Sequence, residues 1–280
     1  MSIAGGMHLA VERGREVGCD VIQVFVKNNN QWKCKPLTEQ DCELFKDALK
    51  HNNISNPIAH ASYLINLATP DDGLWHKSID ALVIEWKRCE LLGIEGLVVH
   101  PGAHTDSTPQ AGLERIAAAS QQCIQQVKPK KCNLLLENTA GQGTCLGWQF
   151  SELGWLIREI SSPHLGVCLD TCHAFAAGYD FRSASGLKAM LTELEKHEVS
   201  QRIHAIHIND SKRECGSRVD RHEHIGLGAI GEDGMKRFIR SAMFRKLPMY
   251  LETAKGTDES SGEDWDKINL ATLRRLASVK

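Results

Sequence analysis

Gly166-Val167-Cys168-Leu169-Asp170 is a short apolar run closed by a carboxylate, and the chain repeats that pattern. Its companions are Asn56-Pro57-Ile58-Ala59-His60, Gly96-Leu97-Val98-Val99-His100, Asn133-Leu134-Leu135-Leu136-Glu137, Ile203-His204-Ala205-Ile206-His207 and Pro248-Met249-Tyr250-Leu251-Glu252. Each run has the length of a buried strand and ends in a side chain that ligates metals. In a parallel barrel the strand C-termini all open onto one face, so six such endings converge on one cavity. One could be chance; six in register are hard to read as ordinary core.

Working outward, strand-like and helix-like segments alternate from end to end, which predicts a parallel sheet covered by helices. Strands are expected at 20–26, 56–60, 96–100, 132–137, 165–170, 203–208 and 248–252. Helices are expected at 7–17, 38–51, 74–92, 109–127, 150–160, 183–198, 232–244 and 263–277. Over 74–92, Leu74, Ile79, Leu82, Val83, Trp86 and Leu91 form an apolar stripe. Thr38, Ser151 and Glu232 stand where helices should start. With no linker or low-complexity tract, residues 1–280 read as one domain of the α/β class, a TIM (β/α)8 barrel. Eight helices face only seven strands. Ser2-Ile3-Ala4-Gly5-Gly6 reads as a strand-to-helix loop without a strand before it. A barrel lacking its first strand at the N-terminus is therefore expected, with two exposed edges beside strand 20–26.

Apolar residues at 42% and charged residues at 24% are those of an ordinary globular protein. No apolar run approaches the roughly 18 residues of a membrane span, and the opening residues lack the regions of a signal peptide. The ten cysteines include no C-x-x-C pair and mostly fall in apolar segments. That favours buried reduced thiols and a cytoplasmic setting over a disulfide framework. A net charge of −2 gives no global pull on nucleic acid, although bound cations would change the local field. A monomer without membrane contact is the default expectation.

Nine candidate ligands emerge. Six are the strand endings His60, His100, Glu137, Asp170, His207 and Glu252. Asp220 and His222 form a D-x-H pair that can grip one ion from an extended backbone. His173 follows Asp170 by three residues, where the chain should leave the strand and turn over the barrel mouth. Imidazole with carboxylate favours zinc, manganese or iron over magnesium or calcium. Nine ligands exceed the needs of one ion and suit two or three.

The chain closely resembles the endonuclease IV family of apurinic/apyrimidinic endonucleases. The matching stretches are His60-Ala61-Ser62-Tyr63-Leu64-Ile65-Asn66-Leu67, His100-Pro101-Gly102-Ala103-His104, Leu136-Glu137-Asn138-Thr139-Ala140-Gly141-Gln142-Gly143, Leu169-Asp170-Thr171-Cys172-His173, His207-Ile208-Asn209-Asp210-Ser211-Lys212, Asp220-Arg221-His222 and Leu251-Glu252-Thr253. They run in the family's order across nearly the whole chain. The resemblance implies a trinuclear Zn2+ barrel, with Mn2+ or Fe2+ an option at some sites, that cuts double-stranded DNA containing abasic sites. The cut falls 5′ to the lesion and leaves a 3′-hydroxyl and a 5′-deoxyribose phosphate, with 3′-end trimming as a further activity. One zinc would sit on His60, His100 and a bridging Glu137. A second would sit on Glu137, Asp170, His207 and Glu252, and a third on His173, Asp220 and His222. Glu137, Asp170 and Glu252 are the expected catalytic carboxylates. Two departures stand out: the match starts just after the family's first strand, and Asn30 occupies a position where the family often has an Arg that reaches into DNA.

DNA contacts are expected from Asn30, Tyr63, Leu64, Gln142 and Lys212. The resemblance assigns Tyr63 and Leu64 to insertion at the lesion, where an apolar wedge helps unstack a duplex; packing on the barrel rim is the alternative. Gln142 lies in a Gly-Gln-Gly turn, which equally reads as a tight turn. Lys27, Lys33, Lys35 and Lys212 could pair with phosphates. His104 could contact phosphate or be a plain loop histidine. Cys172 could ligate, but a buried structural thiol is favoured. Two rival readings remain: a metal-dependent sugar isomerase or epimerase, which needs only the Glu137, Asp170, His207 and Glu252 set, and a lesion-binding protein without activity.

Overall fold

A computed structural model describes residues 1–278, so the last two positions of the expected 1–280 domain lie outside the described residues. The elements run α1 (Met7–Val17), β1 (Val21–Val24), α2 (Glu39–His51), β2 (Ser55–His60), α3 (Asp72–Leu92), β3 (Gly96–Val99), α4 (Pro109–Val127), β4 (Asn133–Glu137), α5 (Phe150–Ile160), β5 (Leu165–Asp170), α6 (Thr171–Ala177), α7 (Ala184–Lys196), β6 (Ile203–His207), β7 (Asp210–Ser211), β8 (His222–Glu223), α8 (Gly231–Arg240), β9 (Met249–Tyr250) and α9 (Trp265–Ala277). The seven strands β1-β2-β3-β4-β5-β6-β9 form one parallel sheet in that order, while β7 and β8 pair as a small antiparallel ribbon.

The helix starts follow their local chemistry. Thr38 caps α2 in a reciprocal box with Asp41, and Thr108 caps α4 ahead of Pro109. Ser151 is not a cap. Gln149 precedes α5 and exchanges bonds with Glu152, and the helix spans Phe150–Ile160 as expected. Glu232 likewise falls in the first turn of α8 rather than at its start. Leu91, assigned to the apolar stripe of α3, is 55% exposed, and Trp75 is buried on that helix instead.

Strand alternation sets what fills the barrel. Ile58, Val98, Leu135, Cys168, Ala205 and Tyr250 form an inner cluster, with Val21 packed against it. Leu135 takes much of the central space: a Cβ on Gly96 or Gly166 would lie 2.6 or 2.8 Å from its methyl groups. The larger core lies between strands and helices and includes Phe45, Trp86, Phe150 and Phe238. Because the side-chain period is two, the next inward positions are Gln23, His60, His100, Glu137, Asp170, His207 and Glu252. All of these lie on, or one or two residues past, the seven parallel strands.

The expected shortfall of one strand is met among the described residues. β1 and β9 are neighbours but share no ladder pairing, so one seam stays unsealed. The Met1 ammonium sits in the seam and donates to the Gln23 carbonyl at 2.5 Å. A cavity of about 660 Å³ runs along both strands there, reaching from Met1 to Glu252.

Candidate metal centre

All nine donors gather at the barrel mouth. Their atoms form three groups, each within 4.8 Å: His60, His100 and Glu137; Glu137, Asp170, His207 and Glu252; His173, Asp220 and His222. Glu137 belongs to two of them and is fully buried. Its Oε2 lies 3.2 Å from His60 Nε2 and 3.1 Å from His100 Nε2. Its Oε1 lies 2.8 Å from His207 Nδ1 and 3.3 Å from His173 Nδ1. Glu252 Oε2 approaches His207 Nδ1 to 3.1 Å. On the far side, Asp220 Oδ2 is 3.1 Å from His173 Nε2, and its Oδ1 is 3.4 Å from His222 Nε2.

Supporting hydrogen bonds to backbone carbonyls turn three of the five rings. His60 Nδ1 donates to the Ala61 carbonyl at 2.7 Å, His173 Nδ1 to that of Asn138 at 2.9 Å, and His222 Nδ1 to that of Glu252 at 3.2 Å. Each leaves Nε2 facing the cluster, as metal-ligating imidazoles require. The Nε2 atoms of His173 and His222 are buried without a hydrogen-bond partner; Asp220 is close to both but not aligned to bond either. Unpaired buried nitrogens beside carboxylates are costly in a polar-satisfied interior and natural in a metal site. The donor set therefore fits divalent transition ions.

Burial and neighbouring charge act against each other on these groups. Burial disfavours charge on His207, but Cys168, Glu252 and Glu137 around it outweigh that and hold its pKa well above the ordinary imidazole value. His173 is likewise raised, burial being overcome by Asp170, Asp220 and Glu137. Burial would raise Glu137, yet His207 and His100 pull it well below the usual carboxylate range. Glu252 is depressed in the same way by His207.

His173 is not on a turn leaving β5. It sits in the first turn of α6, where Asp170 Oδ1 accepts its backbone N–H at 2.7 Å and so caps the helix. The same helix carries Cys172. The thiol is buried yet lies within 4.8 Å of ligand atoms on Asp170 and His222. It donates to the Arg221 carbonyl at 3.6 Å, and burial pushes it up to about 12, which leaves it a thiol in the metal-free chain.

Several supporting residues escaped the sequence reading. Asn209 donates to Asp170 Oδ2 at 2.7 Å and accepts the Glu252 N–H at 2.8 Å. Asp210 receives the backbone N–H groups of Ser211, Gly226, Gly228, Ile230 and Gly231, tying down the loop that carries Asp220 and His222. Gln23 bonds both His207 and Glu252. A polar residue inside the apolar run Val21-Ile22-Gln23-Val24 was the signal for it.

Of the expected DNA contacts, Tyr63 is 61% exposed at the mouth, with its ring 5.6 Å from Phe25 and 5.4 Å from His60. Leu64 is half-buried, and Asn30, Gln142 and Lys212 are exposed. Gln142 Oε1 accepts the Asp220 N–H at 3.2 Å. Lys27 is a correction. It is buried, with Nζ 3.2 Å from Glu85 Oε1, and cannot meet a phosphate; Lys33 and Lys35 are exposed. His104 turns its Nδ1 to the Ser107 carbonyl at 2.7 Å within its own loop.

A parallel barrel with clustered imidazoles and carboxylates at its strand ends defines the class, and a family model described as a xylose isomerase-like TIM barrel matches residues 11–276. A probable endonuclease 4 of Chloroflexus aggregans (strain MD-66 / DSM 9485) is 44% identical over 280 residues, covering 100% of this chain and 96% of its own. One from Trichlorobacter lovleyi is 42% identical over 277 residues, covering 99% and 97%. The crystal structure of endonuclease IV from Thermus thermophilus superposes with a TM-score of 0.86 at 35% identity, over 99% of this chain and 96% of that one. The chain belongs to the endonuclease IV family of apurinic/apyrimidinic endonucleases.

Proposed function

We propose that this chain hydrolyses the phosphodiester 5′ to abasic sites in duplex DNA, leaving a 3′-hydroxyl and a 5′-deoxyribose phosphate. Three zinc ions would be held by His60, His100, Glu137, Asp170, His173, His207, Asp220, His222 and Glu252. Mn2+ or Fe2+ could replace zinc at some sites, and 3′-end trimming would use the same centre. The observation that carries this reading is the sharing of Glu137 between two ligand groups, with a third group beside them. When bound, such ions polarise a phosphoryl oxygen and lower the pKa of a water.

The chain's own residues set the rest. Glu137 turns one oxygen to each of two groups and so would fix their spacing. Asp170 and Glu252 complete the second group and add negative charge that would help hold ions there. Tyr63 and Leu64 present an apolar edge at the mouth, while Asn30, Gln142 and Lys212 stand on surrounding loops. An abasic nucleotide has no base to unstack, so turning it into this mouth costs less than turning a normal one. We take residues 1–280 as a single catalytic domain acting as a monomer. The ten free cysteines suit a reducing, cytoplasmic setting; no helix among the described residues is long and apolar enough to cross a membrane.

The test is a duplex carrying one tetrahydrofuran abasic analogue, incubated with chelator-stripped protein reloaded with zinc. Incision 5′ to the analogue is expected, with a parallel Glu137→Ala protein reduced to background. A sugar isomerase would need only the group around His207. Three zinc ions per chain by elemental analysis favour the nuclease, and one or two favour the isomerase. Tight binding of the analogue without incision would instead identify a lesion-binding protein.

A further inference from the structure

Four histidines of the centre have one ring nitrogen bonded to an oxygen that turns the other towards the cluster. For His60, His173 and His222 that oxygen is a backbone carbonyl. For His207 it is the side chain of Gln23: Gln23 Oε1 lies 2.7 Å from His207 Nε2. The other end of the same amide donates from Nε2 to Glu252 Oε1 at 2.6 Å. Gln23 occupies on β1 the inward layer that the six strand-end ligands occupy on the other strands. It stands at the unsealed seam, where β1 and β9 share no ladder bonds. The amide is thus a polar tie between the two edges at the level of the centre.

We infer that Gln23 is a positioning residue of the metal centre, a role that rests on the three-ion reading. Its amide assigns the donor atoms of two ligands. An amide oxygen only accepts, so His207 must carry its proton on Nε2, and Nδ1 is left for an ion. Nδ1 is the atom facing Glu137 Oε1 and Glu252 Oε2. In the same way Glu252 gives Oε1 to the amide and keeps Oε2 for the cluster. Turned end for end, the amide would set its oxygen against a carboxylate, acceptor against acceptor. Partners of this kind around metal ligands are worth about 10–100-fold in metal affinity or activity.

The experiment uses the full chain, stripped and titrated with zinc against a chromophoric chelator, as the parent and as Gln23→Leu and Gln23→Met. The parent should take three ions. In both variants one ion should weaken by about 10–100-fold while the other two hold. Imidazole 15N spectra of the loaded parent should show His207 protonated at Nε2 and metal-bound at Nδ1. Steady-state incision should lose kcat with little change in KM, because Gln23 spends both ends of its amide on ligands of the centre. Variants whose three affinities match the parent's, or a His207 ring protonated at Nδ1 in the loaded parent, would overturn the role. A parent that binds no zinc would overturn the metal centre and this role together, whereas a zinc-binding parent matched by its variants overturns only the role of Gln23. If both variants fail to fold, by circular dichroism, the spectra of the parent decide.

Discussion

Lys27 and Glu85 put opposite charges in the protein interior, with side chains only 2% and 1% exposed. Lys27 also donates to the carbonyls of Asn28 and Gln31, while Glu85 Oε2 accepts the Ser62 N–H at 3.0 Å. The pair therefore joins the loop after β1, which carries Asn30, to the loop after β2, which carries Tyr63. Lys27→Met leaves a buried carboxylate unpaired and should cost about 3–5 kcal/mol in urea unfolding, with Lys27→Met/Glu85→Leu recovering most of it. A single-variant loss under about 1 kcal/mol would mean the pair holds nothing. The histidines give a pH signature in the metal-free chain. His173 and His207 have folded pKa values raised well above the ordinary one. Their stabilisation is full below about pH 6.5 and is lost as pH rises through the folded values. Glu137 is depressed, so its contribution is present above about pH 4.3 and is lost as pH falls through its low folded value. The metal-free thermal midpoint should therefore peak in mild acid and decline towards alkaline pH. Zinc requires deprotonated imidazole, so the added stability from zinc should grow over the same range. Melting curves with and without chelator check both trends, and a metal-free midpoint that climbs in alkali would contradict the first.

At the scale of elements, Gly154 shows how closely α5 meets the end of α7. A Cβ there would collide with the His197 carbonyl oxygen and lie 3.0 Å from the His197 Cβ. On an open helix face Gly→Ala gains about 1 kcal/mol. Here Gly154→Ala should instead lose about 1–3 kcal/mol, because the backbone of the neighbour must shift. Denaturant melts settle the sign. Like the β7–β8 ribbon, the short helix α6 escaped the sequence pattern. Its seven residues, Thr171–Ala177, are too few to show a helical period, and they follow β5 without a loop. Asp170 both ends the strand and caps the helix, so one carboxylate terminates two elements and still faces the centre.

Across the whole molecule, stability should vary around the barrel. β3, β4 and β5 are paired on both sides, whereas β1 and β9 each have one partner and face the seam cavity. Amide hydrogen exchange should be fastest in Val21–Val24 and Met249–Tyr250 and slowest in Asn133–Glu137 and Leu165–Asp170. Uniform protection around the sheet would mean that the seam is closed in solution. Two of the nine candidate ligands bear on this: Glu252 follows the last strand directly, and His222 reaches the centre by bonding the Glu252 carbonyl. Opening at the seam would loosen the centre on that side first.

The seven strands, the face on which they open and the six strand-end candidates were legible in the chain, because a parallel strand is a contiguous apolar run and its last residue must lie at the mouth; His173, Asp220 and His222 came from shorter local spacings, and the structure gathers all nine. The strand count also told of the open seam. Those are local facts, set by a period of two and by chain direction. Other features depended on residues far apart in the chain. Lys27 looks like any surface lysine until α3 brings Glu85 to it. Cys172 reads as a buried core thiol until α6 brings it beside Asp170 and His222. Gln23 became part of the centre only when β1 closed towards β9, 229 positions from Glu252. Sequence determines which chemistry each strand carries to its end; only the closed sheet decides which atoms meet there, because hydrogen-bond distance between remote residues is a property of packing and not of spacing along the chain.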